Sequence, residues 1–164
     1  MFREASVYAL KRLSEEERTP YGLRVLTMRK WPRGVHRSDI DVWMPSAGPS
    51  IELLTTYQTR SIVWEEFLSL YQGEQQTQRT CRIVTYTGGK PKKVDYPHGS
   101  LDHLKQLEQQ YGTITVLCWE NGPLCHRYAL KALLAETESI WLQENEETVL
   151  QPYPRGGSDA STDL

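Results

Sequence analysis

The stretch Thr113–Leu134, TITVLCWENGPLCHRYALKALL, sets the tightest limit on what this chain can fold into. Thr113–Cys118 reads as a near-continuous buried strand, the pattern of a central position in a sheet covered on both faces. Asn121-Gly122-Pro123 then makes a turn, and Pro123 suits the first position of a helix because its missing N–H would have no partner there. A helix from about Leu124 to Thr137 follows. A buried strand turning sharply into a helix belongs to a layered α/β protein, and the carboxyl ends of such strands are where these sheets bind ligands.

The remaining segments supply the layers. Ser6–Arg12 alternates apolar and polar residues and predicts a half-buried first strand, followed by a charged loop over Leu13–Gly22. Leu23–Met28 predicts a second strand that runs into Arg29–Gly34, RKWPRG, where Pro32 and Gly34 stop regular pairing and project the chain beyond the strand end. IDVWMPSAGPS, around Trp43, reads as an irregular packed loop, with a short helix from Ser50 over Ile51–Tyr57. Ser61 can cap a longer helix whose Trp64, Phe67, Leu68 and Tyr71 share one apolar, core-facing side. Cys81–Tyr86 and Lys92–Tyr96 flank Gly88-Gly89-Lys90-Pro91 as a β-hairpin with a basic tip. Ser100 opens a helix with Leu101, Leu104, Leu107 and Tyr111 at helical spacing, and Gly112 ends it. The expected architecture is a single-domain three-layer α/β sandwich over residues 1–150, with a mostly parallel central sheet and an added β-hairpin. Residues 151–164, QPYPRGGSDASTDL, lack the apolar side chains to offset ordering entropy and are expected to be a disordered tail.

Composition narrows the function classes. The 164 residues suit one core, and 19 basic against 21 acidic residues leave a net charge of −2, without a global field for gripping polyanions. Any nucleic-acid contact is therefore local, with Lys90, Lys92 and Lys93 as candidates against the simpler reading of a solvated tip. Arg3 and Glu4 precede any apolar run, and no apolar stretch approaches the roughly 20 residues that span a bilayer, so no membrane association is expected. Three irregularly spaced cysteines suggest free thiols in a reducing compartment, and the expected location is the cytoplasm.

The junction itself carries the chemistry. A helix N-terminus offers unpaired N–H groups and the positive end of the dipole, so a phosphate or carboxylate is its natural guest, with His126 and Arg127 as further donors. Glu120, directly after the buried strand, is a candidate general acid or base beside His126. Arg127 binds an oxyanion or pairs with Glu120. Cys125 is a possible reactive thiol, since a helix terminus lowers a thiol pKa, although Cys118 and Cys125 also read as small core residues. Cys118 and Cys125 are seven positions apart, which is not the Cys-x-x-Cys spacing of zinc or thioredoxin-type sites, and six positions after Cys118 stands Leu124 where a phosphatase loop needs Arg. No glycine-rich phosphate or dinucleotide motif occurs.

Several of these segments together resemble the bacterial domain-of-unknown-function family 488, especially its YeaO-like branch. Arg29-Lys30-Trp31-Pro32-Arg33-Gly34 is similar to that branch's R-x-W-P-R-G, and Gly48-Pro49-Ser50 with Glu52-Leu53 matches a second block. Trp64-Glu65-Glu66-Phe67 with Tyr71 looks like its W-x-x-F-x-x-x-Y helix, and Cys118-x-Glu120 with Cys125-His126-Arg127 resembles its C-x-E…C-H-R signature. Met28 departs from the acidic residue usual before the arginine, and Thr80–Tyr96 looks like an added hairpin. The resemblance implies a compact α/β fold with both signatures close in space, and an enzyme acting on nucleotides or nucleic acid. The expected site is one cleft in which Arg29, Trp31, Arg33, Trp119 and Arg127 hold a phosphate and stack a base or sugar. Glu120 and His126 would handle protons there in hydrolytic or glycosidic cleavage, with no metal or cofactor needed. Two other readings stay open: a cleft that only sequesters a nucleotide or anion, and thiol transfer with Cys125 as nucleophile and Cys118 as resolving partner.

Overall fold

The computed structural model describes residues 1–87, 89–119 and 125–144, with residues 87 and 136–144 as backbone alone. Strand β6 (Ile114–Cys118), buried at every position, lies between two parallel neighbours. Cys118 is opposite Ser6 of β1 (Phe2–Ser6), and Leu117 is opposite Leu26 of β2 (Leu23–Leu26). β2 pairs in parallel with β3 (Val42–Trp43), which passes antiparallel to β4 (Cys81–Thr87) and then to β5 (Lys90–Tyr96). The six-stranded order is β1-β6-β2-β3-β4-β5, so a parallel half carries the hairpin as an antiparallel extension.

The two-residue side-chain period sorts the core into two layers. Ile114, Val116, Leu23 and Val25 face α3 (Ile51–Gln58), α4 (Trp64–Thr77), α5 (Ser100–Tyr111) and α6 (His126–Glu144). Leu117 and Leu26 face the other way, against Val7, Leu10, Val35 and Ile40. Helices therefore cover one side, while α1 (Val7–Lys11) and the 28–41 connection cover the other; α2 (Glu15–Arg18) is a single turn before β2. This is the expected three-layer sandwich with its mostly parallel sheet and hairpin. Gly22 is required at the entry to β2: its φ is +64°, and a Cβ there would stand 2.1 Å from the Thr113 carbonyl oxygen.

Two expectations are corrected. Ser6–Arg12 is not the first strand: Phe2–Ser6 is, and Val7–Lys11 forms α1. Val7 and Leu10, three positions apart, would point to opposite faces of a strand but share one face of a helix, and burying both against Leu26 and Leu117 decides for the helix. Ser61 does not cap α4; Val63 is its N-cap residue, and the Ser61 hydroxyl pairs with Thr59 instead. The Phe67 and Tyr71 face of α4 is core as expected.

Lys90, Lys92 and Lys93 are exposed on the edge strand β5. Lysines and a proline on an edge also discourage strand pairing with another chain. No helix among the described residues is long and apolar enough to cross a membrane. Glu120, the Asn121-Gly122-Pro123 turn, Leu124, the Gly88 tip and the 151–164 tail lie outside the described residues.

Candidate functional site

The four parallel strands β1, β6, β2 and β3 end on the same side, and a cavity of about 250 Å³ opens at the ends of β2 and β6. Arg29 and Lys30, just past β2, form its cationic side. Tyr57 of α3 with Trp64 and Phe67 of α4 form an aromatic wall, with Trp64 and Phe67 stacked at 5.1 Å. Cys118 and Trp119, ending β6, and Cys125 and His126, opening α6, close the remaining side.

Arg29 is held by backbone carbonyls. Its Nε donates to the Pro49 oxygen at 3.2 Å and its Nη2 to the Gly48 oxygen at 2.9 Å. Those carbonyls are fixed because the 3₁₀ turn Pro45–Ala47 is riveted from several directions. Tyr71 donates to the Ala47 carbonyl at 2.7 Å, Gln75 and Gln78 donate to the Ser46 carbonyl, and the Ser46 and Ser100 hydroxyls pair at 2.8 Å. Gly48 permits the close approach of the two chain segments, since a Cβ there would lie 2.7 Å from the Arg29 backbone nitrogen. Burial pulls the Arg29 pKa down, only partly opposed by the charge of Glu74, which itself accepts from the Ser50 N–H at 3.0 Å. Among the described residues no carboxylate forms an ion pair with this guanidinium, and two donors on carbonyls leave further N–H groups for a guest.

Opposite Arg29 is a buried cluster of Cys118, Cys125 and His126. His126 Nε2 lies 2.6 Å from the Thr27 carbonyl oxygen, which can only accept, so this nitrogen carries the hydrogen. In the neutral ring the Nδ1 lone pair then faces the two sulfurs, 4.0 Å from Cys118 Sγ and 3.9 Å from Cys125 Sγ. Thr27 is itself pinned, its N–H and hydroxyl both donating to the Leu117 carbonyl. Tyr71 meets the imidazole edge-on at 5.4 Å, and its burial pushes its own pKa well up. The Cys118 sulfur and burial push the Cys125 thiol well up too, the reverse of the lowering that the helix-terminus argument expects.

The structure brings together part of the expected cleft. Arg29, Trp119, Cys125 and His126 line the cavity; Trp31, Arg33 and Arg127 do not. Trp31 donates to the Val35 carbonyl and packs edge-on against Trp43 and Tyr86. Arg33 is exposed, and its carbonyl accepts from the Tyr8 hydroxyl at 2.6 Å. The RKWPRG loop thus folds back over α1 after its first two residues. Arg127 pairs with Glu4 at 2.7 Å and lies over the Tyr128 ring. Sequence reasoning missed Tyr57 and the cavity-lining part of the Trp64 and Phe67 face, because a core-facing stripe and a cavity wall have the same spacing. It also missed the carbonyl clamp, whose signal is the close-approach glycine in Gly48-Pro49-Ser50.

A mostly parallel sheet with a cavity at the carboxyl ends of its strands, walled by aromatics and a buried cysteine–histidine cluster, defines an α/β protein whose cavity lies where open α/β sheets bind their ligands. The chain belongs to the DUF488-N3a family, described as the active DUF488-N3 subclade, whose profile matches residues 8–138. It is also similar to uncharacterized proteins of Mycobacterium bovis and of two strains of Mycobacterium tuberculosis, at 36% identity over 76 residues. That match takes in 45% of this chain and spans 64% of the length of those relatives. No solved structure matches the chain.

Proposed function

We propose that the protein is an enzyme acting on a nucleotide or nucleic-acid-derived, phosphate-bearing substrate, by hydrolytic or glycosidic cleavage in the strand-end cavity. The observation that carries this reading is Arg29, half-buried, clamped by two carbonyls and without an ion-pair partner among the described residues. A guanidinium fixed in this way meets an incoming phosphate with its geometry already set. Tyr57, Trp64 and Trp119 offer ring faces for a base or sugar, and about 250 Å³ is slightly below the roughly 300–1,000 Å³ of common small-ligand sites. The guest is accordingly a mononucleotide or one nucleotide of a strand. Glu120 follows Trp119 in the chain and takes the proton-handling role, and the family's description as an active subclade fits an enzyme.

Calorimetric titration with nucleoside monophosphates tests the anion site. Losing a charged hydrogen-bonding group, at about 1.5–3 kcal/mol, lowers the affinity of Arg29→Met by roughly 10–100-fold. Incubation with nucleotides and short oligonucleotides, followed by chromatography, tests turnover: altered products are expected from the wild type, and Glu120→Gln abolishes them while retaining binding. Intact ligand recovered from the wild type reduces the protein to a nucleotide binder, and equal affinity in Arg29→Met removes the phosphate site.

A further inference from the structure

We propose that Cys118 Sγ, Cys125 Sγ and His126 Nδ1 form a binding site for a zinc-type divalent cation, with an open fourth position facing the cavity. The site stands on its own geometry and does not depend on the identity of the substrate. All three donor atoms lie within 4.8 Å of one another, and all three residues are buried. Tetrahedral zinc with bonds of about 2.3 Å to sulfur and 2.0–2.1 Å to nitrogen sets sulfur and nitrogen donors about 3.5–3.6 Å apart and two sulfurs about 3.8 Å apart. The observed sulfur-to-nitrogen separations are 3.9 and 4.0 Å, so small side-chain rotations close the set around an ion.

The surroundings match what a metal-bound imidazole needs. The ring nitrogen away from the sulfurs donates to the Thr27 carbonyl, which fixes the tautomer and leaves Nδ1 as the donor toward the metal. Cys118 ends the central strand, held on both sides by β1 and β2, and His126 is the first residue of α6, so both ligands ride on rigid elements. Charge balance favours the same occupant. Two thiolates, one neutral imidazole and a divalent ion sum to zero, which removes the cost of an unpaired charge in a buried place. Two soft sulfurs with one imidazole favour zinc over hard, oxygen-seeking cations such as magnesium or calcium. Among the described residues three protein ligands converge beside the cavity, the arrangement of zinc sites that keep a place for water or an exogenous anion. The ligands lack Cys-x-x-Cys spacing because they come from a strand end and a helix start rather than from one knuckle.

Cobalt(II) substitution tests the proposal on the full chain, reduced with a phosphine and stripped with a chelator. One equivalent of cobalt is expected to give sulfur-to-cobalt charge-transfer absorption and the intense visible bands of a tetrahedral site, and one equivalent of zinc then displaces it. Cys118→Ser, Cys125→Ser and His126→Gln each weaken cobalt binding by at least about 10–100-fold, taking the loss for outer-shell partners as the lower bound. Cys81→Ser, which removes the buried cysteine outside the cluster, leaves binding unchanged, and far-ultraviolet circular dichroism verifies that each variant folds. Excess azide shifts the visible bands if the fourth position is open. Folded, reduced protein that takes up no cobalt overturns the site, as does equal loss of binding in Cys81→Ser. A tetrahedral spectrum that azide leaves untouched overturns the open position. Nucleotide binding is measured separately, so failure here is distinguishable from failure of the proposed function.

Discussion

Arg29 and Arg127 both lie in segments that the sequence marks for anion binding, and both are drawn out of bulk water, but their surroundings differ. Arg127 donates from Nε to Glu4 at 2.7 Å, with its own side chain 4% exposed and that of Glu4 24% exposed. Among the described residues Arg29 bonds only to the Gly48 and Pro49 carbonyls, and it lines a cavity. An arginine with a carboxylate partner fastens β1 to α6; one held by neutral acceptors keeps its charge for a guest. The contrast teaches that residue type and burial do not by themselves make a binding site, and that the partner left out decides.

The strongest way to break this comparison is to exchange the two effects. Arg127→Met leaves Glu4 without its partner and is expected to lower stability by about 3 kcal/mol, the low end for a buried pair because Glu4 is partly exposed. Its nucleotide affinity stays at the wild-type value. Urea unfolding and calorimetry on the same preparation read both quantities, and a loss of affinity comparable to that of Arg29→Met means that Arg127 contributes to the site after all.

Gly48→Ala sharpens the comparison from the Arg29 side. The new Cβ would meet the Arg29 nitrogen at 2.7 Å and the Met28 carbonyl carbon at 3.1 Å, and backbone cannot swing aside as a side-chain tip can. The expected cost is about 1–2 kcal/mol of stability together with a several-fold loss of anion affinity, as the clamp lifts away from the guanidinium. Wild-type affinity in this variant would separate the clamp from binding.

The smallest effect concerns a closed cluster that resembles the Arg127 pair. His103 is fully buried, lies 2.9 Å from His98, and is held down to about 3 by burial and by its neighbour. It stays neutral in the fold but takes up a proton near pH 6.5 when unfolded. The folded state is therefore at full advantage above about pH 6.5 and loses stability as pH falls toward about 3. The expected loss is about 1 kcal/mol between about pH 7 and about pH 5.5, and His103→Phe flattens the slope. Urea midpoints across that range check it; a slope unchanged in the variant assigns the pH dependence elsewhere.

The sequence by itself determined the buried strand, the helix that follows it, the core faces of α4 and α5, and the hairpin, because each is set by a local period or a turn residue. It also placed Arg29 and His126 among the residues of interest. Over Ser6–Arg12 the alternation of apolar and polar residues reads as a strand, and the helical spacing of Val7 and Leu10 counts only because both are buried on one side against the sheet. Tertiary structure alone decided the partners. Glu4 and Arg127 are 123 positions apart, His126 and Thr27 are 99 apart, and no local spacing encodes which of two arginines finds an acid. The convergence of Cys118, Cys125 and His126 has the same origin, since parallel pairing of β1, β6 and β2 brings distant chain segments to one end of the sheet and the helices close over it.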